Sequence, residues 1–277
     1  MTLEVTNVTK RFKLRKGLKS SQLVAVNDVS FSISPGQTVA LVGESGSGKS
    51  TIAKMILRLE ETTEGTITID GIDSRRHGGR SKDYLHLVQM VFQDPFASLN
   101  PYHSIAHHIE RPLRIHGKTS GKQETRAKVE ELLERVNLDP KLADRRPHEL
   151  SGGQRQRVAI ARALAPGAKY LIADEPVSML DVSIRLSVLN LLARLQREEN
   201  LGVLYITHDL ATARHFSDEI MVMRKGEIVE NGPSDDVILN PQHDYTKLLL
   251  EAAPEPSNHG KLRQSVRDEY LASVAQK

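Results

Sequence analysis

The feature that most constrains this chain is the run Gly43-Glu44-Ser45-Gly46-Ser47-Gly48-Lys49-Ser50-Thr51. A turn whose successive backbone N–H groups converge on an anion needs positions without a bulky Cβ, and Gly43, Gly46 and Gly48 supply them. Lys49 can then reach the β- and γ-phosphates of a nucleotide, and the Ser50 hydroxyl can ligate Mg²⁺. The flanks fit the same reading. Gln37 to Val42 is a short, mostly apolar run rich in β-formers, which predicts a buried strand feeding the loop. Ile52, Met55, Ile56 and Leu59 fall at i, i+3, i+4 and i+7, which predicts a helix with one buried face and its N-terminal dipole toward the phosphates.

At 277 residues the chain is long enough for a large core, as one α/β domain with a smaller insertion or as two domains. No run approaches the roughly 18 to 20 consecutive apolar residues of a membrane helix, and the first residues lack a signal-peptide apolar core. The expectation is a cytosolic protein or one peripheral to the inner face of a membrane. With no cysteine, disulfides, thiolate zinc sites and cysteine-ligated iron-sulfur clusters are excluded. A net charge of +3 spread along the chain is a solvated surface and not the concentrated stripe of a nucleic-acid footprint. The lack of Trp and the scarcity of other aromatics argue against a base-stacking platform.

Along the chain, Leu3, Val5 and, after a break, Val8 suggest an edge strand ending at Phe12. Lys10 to Lys19 reads as a loop or an extended hairpin connection, Leu23 to Ile33 as a strand pair, and Ser34-Pro35-Gly36 as a turn. Thr66 to Ile69 with Asp70-Gly71 predicts a strand and hairpin turn, residues 73–82 a loop, and Leu85 to Phe92 a buried strand. Between about 94 and 166 the pattern turns helical, with candidate helices over 104–115 and 124–137. The α/β pattern resumes with strands at 169–173, 202–207, 219–223 and 227–230, a long helix around 184–195, and two short helices within 234–252. From Pro254 the chain is polar, which predicts a partly mobile tail whose Lys261, Arg263 and Arg267 alternate with acids as a solvated segment. His103, His107 and His108 read as a polar helix surface, with no further ligands to make a metal site.

Two further stretches carry chemistry. Tyr170 to Ala173 is apolar and ends in Asp174-Glu175, which sets one carboxylate to hold Mg²⁺ through water and the next to polarise an attacking water. Leu150-Ser151-Gly152-Gly153-Gln154 opens a helix over 158–164, with Ser151 as N-cap and two glycines leaving N–H groups free to approach an anion. This second phosphate-binding end lies in the helical insertion. It cannot easily serve the γ-phosphate held by its own chain, so the economical arrangement is a head-to-tail pair in which each loop is closed by the partner's Ser151 segment.

These motifs resemble the nucleotide-binding, ATP-hydrolysing subunits of ATP-binding cassette (ABC) transporters over roughly Leu3 to Ala252, and Leu-Ser-Gly-Gly-Gln is highly specific to that superfamily. The resemblance implies a P-loop NTPase α/β core, a mixed and mostly parallel sheet flanked by helices, with an N-terminal antiparallel β-subdomain and an inserted helical subdomain at about 94–166. The domain would span 1–252 and the polar tail 253–277. By the same resemblance Gln93 reaches Mg²⁺ near the membrane partner's coupling helix, Phe12 stacks on adenine, and His208 contacts the γ-phosphate. Ser178-Met179-Leu180-Asp181 matches the D-loop, with Met179 where the family more usually has Ala.

A narrower likeness is to the oligopeptide and dipeptide importer branch, which also includes nickel and oligosaccharide importers. It is carried by residues 93–101, Glu175-Pro176-Val177-Ser178 and His243-Asp244-Tyr245-Thr246, and by the long basic connection after Phe12. Asp244 stands where that branch usually has Pro, and the cysteine cluster of its C-terminal extension is missing. The implied working unit is two cassettes, identical or homologous, closing on two MgATP and driving two transmembrane permease subunits fed by an extracytoplasmic solute-binding protein. Lys49 and the loop amides would hold the phosphates, Ser50, Gln93 and Asp174 Mg²⁺, Glu175 the water and His208 the γ-phosphate. Ser151, Gly152, Gly153 and Gln154 would act in trans. A rival, an ABC ATPase acting on nucleic acid or the ribosome, is disfavoured: such chains carry a very long insertion or two cassettes, whereas Lys49 and Ser151 are 102 positions apart and one cassette is present.

Overall fold

In a computed structural model of the chain, residues 2–16, 19–75 and 82–252 are described. The chain opens with strands β1 (Leu3–Lys16), β2 (Lys19–Ile33) and β3 (Thr38–Val42), then helix α1 (Lys49–Ile56), β4 (Glu64–Ile69), β5 (Ile72–Asp73), α2 (Lys82–Leu85) and β6 (Val88–Val91). Four helices follow, α3 (Pro95–Ser98), α4 (Ile105–Ile115), α5 (Lys122–Arg135) and α6 (Gly152–Leu164), with two 3₁₀ segments between the last two. The remainder alternates: β7 (Tyr170–Asp174), α7 (Val182–Glu199), β8 (Gly202–Thr207), α8 (Leu210–Phe216), β9 (Glu219–Arg224), β10 (Glu227–Pro233), α9 (Ser234–Leu239) and α10 (Asp244–Ala252).

The strands form two sheets, an antiparallel one in the order β2-β1-β4-β5 and a larger one in the order β10-β9-β3-β8-β7-β6. In the larger sheet every pairing from β9 across to β6 is parallel, and only β10 runs antiparallel to its neighbour. A parallel sheet covered on both faces needs apolar residues of both parities. β3 and β8 are accordingly buried at every position. Period-2 alternation sorts them: Ala40 and Val42 face the core shared with α4 to α8, whereas Val39 and Leu41 face the core shared with α1 and the antiparallel sheet. The helical segment has no separate core, because Leu113, Val129 and Leu133 belong to the same buried cluster as Ala40 and Val203.

Register positions the site. Val42 pairs with Thr207, Asp174 with Ile206, and Val91 with Ala173, so β3, β8, β7 and β6 end together. The residues that follow, Gly43, His208, Glu175 and Gln93, therefore emerge along one edge of the sheet. Ligands of open α/β sheets bind at this carboxyl edge.

Several sequence expectations are corrected. β1 does not end at Phe12, and of the two readings of the stretch from Lys10 the extended hairpin holds and the loop does not: pairing with β2 continues to Lys16↔Lys19, and 23–33 belong to one strand instead of a pair. The break before Val8 is a bulge at Asn7, which adopts φ 46°. Leu59 does not extend the buried face of α1. The helix stops at Ile56, Arg58 takes a left-handed φ of 57°, and Leu59 is 63% exposed. The strand expected over 85–92 is only Val88–Val91, with Leu85 in α2 and Phe92 beyond the pairing. His108 is not on a polar surface: it is buried, and its Nε2 lies 3.0 Å from the Asn100 carbonyl oxygen. The expected loop at 76–81 and the tail from 253 lie outside the described residues.

Candidate functional site

A cavity of about 580 Å³ opens at the carboxyl edge, lined on its floor by Gly46, Gly48, Lys49, Ser50 and Thr51 and on one side by Gln93, Asp174 and Glu175. Ser45 of the loop lines it too, and Phe12 with Leu23, Val24 and Ala25 makes β1 and β2 a further wall. The loop is set by two close approaches of backbone, Gly43 against the Met223 carbonyl and Gly48 against the Ala25 carbonyl. Gly48 has φ 114°, and a Cβ there would sit 2.4 Å from the Ala25 carbonyl oxygen. Gly46 has φ 82° but open space around it. The Gly226 N–H donates to the Ser47 carbonyl at 2.8 Å, so the turn between β9 and β10 braces the loop from behind.

Lys49 is folded back on the loop, its Nζ donating to the carbonyls of Gly43 and Glu44 at 2.7 Å each. Burial lowers its pKa, and Glu175, Asp174 and Glu44 oppose that shift. Burial also raises Asp174, an effect offset in part by a hydrogen bond from the Ser50 hydroxyl and by the charge of Lys49. A buried ammonium and a half-buried carboxylate, each pushed toward neutrality, are the complement of a polyphosphate and a cation. The Ser50 hydroxyl beside the Asp174 carboxylate is a hard oxygen donor pair that fits Mg²⁺.

Glu175 leaves β7 in a left-handed conformation, φ 45°, which costs a non-glycine residue roughly 1–2 kcal/mol. Its N–H donates to the Ile206 carbonyl at 2.8 Å, and the turn directs its carboxylate to two partners. Gln93 Nε2 donates to one oxygen at 2.8 Å, and His208 Nδ1 lies 3.0 Å from the other. Two residues far apart in sequence thus converge on the Glu175 carboxylate.

The other expected residues are elsewhere. Ser151, Gly152, Gly153 and Gln154 are not among the residues lining this cavity. They form the first turn of α6, closed by a reciprocal pair: Ser151 Oγ accepts from Gln154 N at 3.3 Å, and Gln154 Oε1 accepts from Ser151 N at 2.9 Å. Gly153 is required by packing, since a Cβ would meet Ile184 at 2.5 Å. Asp181 is the exposed N-cap of α7, without a side-chain capping bond. Gly43, Glu44 and Ser47 support the loop without lining the cavity. Sequence reading missed Leu23, Val24, Ala25 and Lys225 as cavity walls. For Lys225-Gly226 the available signal was a turn between two short strands, which carries no information about what the turn touches.

A family model described as "ABC transporter" matches residues 26–178, more than half of the chain. The chain belongs to the ABC transporter family. A second model, "Oligopeptide/dipeptide transporter, C-terminal region", matches residues 229–274. Among curated relatives, "Oligopeptide transport ATP-binding protein OppF" of Bacillus subtilis is 45% identical over 99% of this chain and 89% of its own length. "Glutathione import ATP-binding protein GsiA" of Salmonella paratyphi A is 46% identical over 98% of this chain, which spans 44% of that longer relative. Among solved structures, an ATP-binding cassette in a dimeric post-hydrolysis state bound to ADP and Pi superposes with a TM-score of 0.72 at 32% identity, covering 84% of this chain and 99% of that one. The cassette cbiO1 from Clostridium perfringens gives 0.74 at 26% identity, covering 86% and 90%. The fold is that of these family members, an α/β core with an antiparallel β-sheet and helices inserted between β6 and β7.

Proposed function

We propose that this chain is an ATP-hydrolysing subunit that energises import of a peptide-class solute, working at the cytoplasmic face of a membrane. The observation that carries the reading is the shared carboxylate of Glu175, held by Gln93 and His208 at the mouth of a cavity floored by Lys49 and Ser50. A carboxylate so oriented can hold and polarise a water in line with a γ-phosphate, while Gln93 and His208 fix its direction. Lys49 would leave its two loop carbonyls for the phosphate oxygens. Phe12 would take the adenine ring. Ser50, Asp174 and Gln93 would hold Mg²⁺, which when bound supplies charge neutralisation at the β- and γ-phosphates. The domain would span 1–252, with its helical subdomain at about 94–166.

The first turn of α6 does not line its own cavity, which favours closure of each site by Ser151, Gly152, Gly153 and Gln154 of a second cassette, with Asp181 at the seam. A groove of about 1150 Å³ beside Gln93 is rimmed by the exposed Phe92 and Ile115, a fitting seat for a short helix of a permease subunit. Among the described residues, no helix is long and apolar enough to cross a membrane, so the pore would come from two such partners, with a solute-binding protein acting through them. The names of the OppF and GsiA relatives favour import of peptides over action on nucleic acid or the ribosome. The test is MgATP turnover of the assembled transporter with Glu175→Gln. Turnover should fall at least 100-fold while nucleotide binding persists; wild-type turnover would remove Glu175 from this role.

A further inference from the structure

The motif His243-Asp244-Tyr245-Thr246 contributes nothing to the cavity lining, yet its tyrosine reaches the phosphate loop. Tyr245 lies in the first turn of α10 and is 2% exposed. Its hydroxyl accepts a hydrogen bond from the backbone N–H of Glu44 at 3.2 Å, a contact across 201 positions of sequence, and the Glu44 carboxylate is near enough to act on the phenol. One phenol therefore holds the main chain of the loop's second residue and neighbours its side chain. We propose that Tyr245 is a positioning residue of the nucleotide site, which makes the conformation of the phosphate loop depend on the seating of α10.

Both ends of the link are fixed. The Glu230 carboxylate on β10 accepts the backbone N–H groups of Gln242 at 2.7 Å and His243 at 3.0 Å, and His243 Nδ1 accepts the Tyr245 N–H at 3.0 Å. These bonds satisfy donors at the start of α10 and hold its first turn against β10. The Arg224 guanidinium lies 4.7 Å from the centre of the Tyr245 ring and covers its face, which limits rotation of the phenol. At the other end, the Glu44 carbonyl accepts Lys49 Nζ at 2.7 Å. A shift of Glu44 is therefore felt directly by the lysine that must swing to the phosphates.

The charge logic points the same way. The Glu44 carboxylate is near enough to Lys49 to act on it electrostatically, and it carries the same sign as an incoming polyphosphate. With its main chain bonded to Tyr245, its position is restricted. Freed, it can approach Lys49 and compete with phosphate oxygens for the ammonium. Loss of the phenol hydroxyl should therefore weaken nucleotide binding without touching the groups that do the hydrolysis.

This inference rests on the nucleotide-binding reading above, and the experiment separates the two. Binding of a fluorescent MgATP analogue is measured on the full chain for wild type, Tyr245→Phe, Glu44→Ala and the double variant, with thermal melting and ATPase rates of the assembled transporter alongside. Tyr245→Phe keeps the ring under Arg224 and should melt within about 2 °C of wild type, yet bind about 3- to 10-fold more weakly. KM for ATP should rise by the same factor at unchanged kcat. In the Glu44→Ala background the penalty of Tyr245→Phe should shrink, because the carboxylate that would compete for Lys49 is already gone. Tyr245→Leu separates packing, since it should lower the melting temperature as well. If wild type binds MgATP and Tyr245→Phe matches it in Kd and KM, Tyr245 is merely a core residue and the inference fails. If wild type itself does not bind MgATP, the functional reading fails first.

Discussion

Gly46 and Gly48 stand two residues apart in one loop, and the same substitution should have different consequences at each. At Gly46, φ is 82° and no atom lies within 4 Å of an added Cβ, so alanine costs only the left-handed backbone, about 1–2 kcal/mol, partly offset by a stiffer unfolded chain. A net loss of about 1 kcal/mol corresponds to a drop of about 2–4 °C in Tm for a chain of this size. At Gly48, φ is 114° and the Cβ would sit 2.4 Å from the Ala25 carbonyl oxygen and 2.7 Å from Met223 Cε. The methionine tip can swing away, but the Ala25 carbonyl is β2 main chain. Overpacking of this kind adds about 1–3 kcal/mol, for a total near 3 kcal/mol and a Tm drop of about 6–12 °C. Thermal melting of both variants without nucleotide measures the difference, and most of the Gly48→Ala penalty should persist when it is measured against Met223→Ala alone. Equal melting temperatures for the two variants, or a Gly48→Ala penalty that vanishes in the Met223→Ala background, would refute the claim that a backbone approach to Ala25 fixes the loop.

Three further outcomes follow from the site. Burial raises Asp174 above its ordinary value, so the native state holds that proton more tightly than the unfolded chain; the contribution to stability is fully present below the unfolded value and is lost as pH rises through the folded one. Asp174→Asn should therefore raise Tm of the nucleotide-free protein at pH 7, with the gain vanishing below about pH 4, and should abolish the extra stabilisation by MgATP over ATP alone. Ser151→Ala removes the α6 cap and should cost about 1 kcal/mol, whereas Ser151→Asp keeps a cap but sets a carboxylate toward the partner's γ-phosphate. The aspartate variant should melt like wild type yet fail to form an ATP-induced dimer, as read by light scattering. Phe12→Ala should weaken ATP about tenfold while leaving inorganic triphosphate binding unchanged, since base–aromatic stacking contributes about 1–3 kcal/mol; equal losses for both ligands would remove the ring from adenine recognition.

Local pattern was enough for much of this molecule. The glycine spacing, the apolar runs ending in Val42, Ala173 and Thr207, and the Ser151 cap are properties of a few adjacent residues, because strands, helix starts and phosphate turns are decided by neighbours in sequence. What local pattern could not decide was where those elements meet. Leu59 has the right spacing for a buried helix face, but Arg58 ends the turn and leaves it in solvent. His108 has the composition of a surface and is buried against Asn100. The convergence of Gln93 and His208 on the Glu175 carboxylate needs the parallel register of β6, β7 and β8, which crossover packing sets. Tyr245 carries no chemical signature of a phosphate site at all; only the docking of α10 beside β10 and Arg224 brings its hydroxyl to Glu44. The sequence by itself determined that this chain builds a phosphate loop and a second anion-binding helix end. Tertiary structure decided which distant groups hold that loop in place, because such contacts are selected by packing across the whole sheet and leave no local periodicity to read.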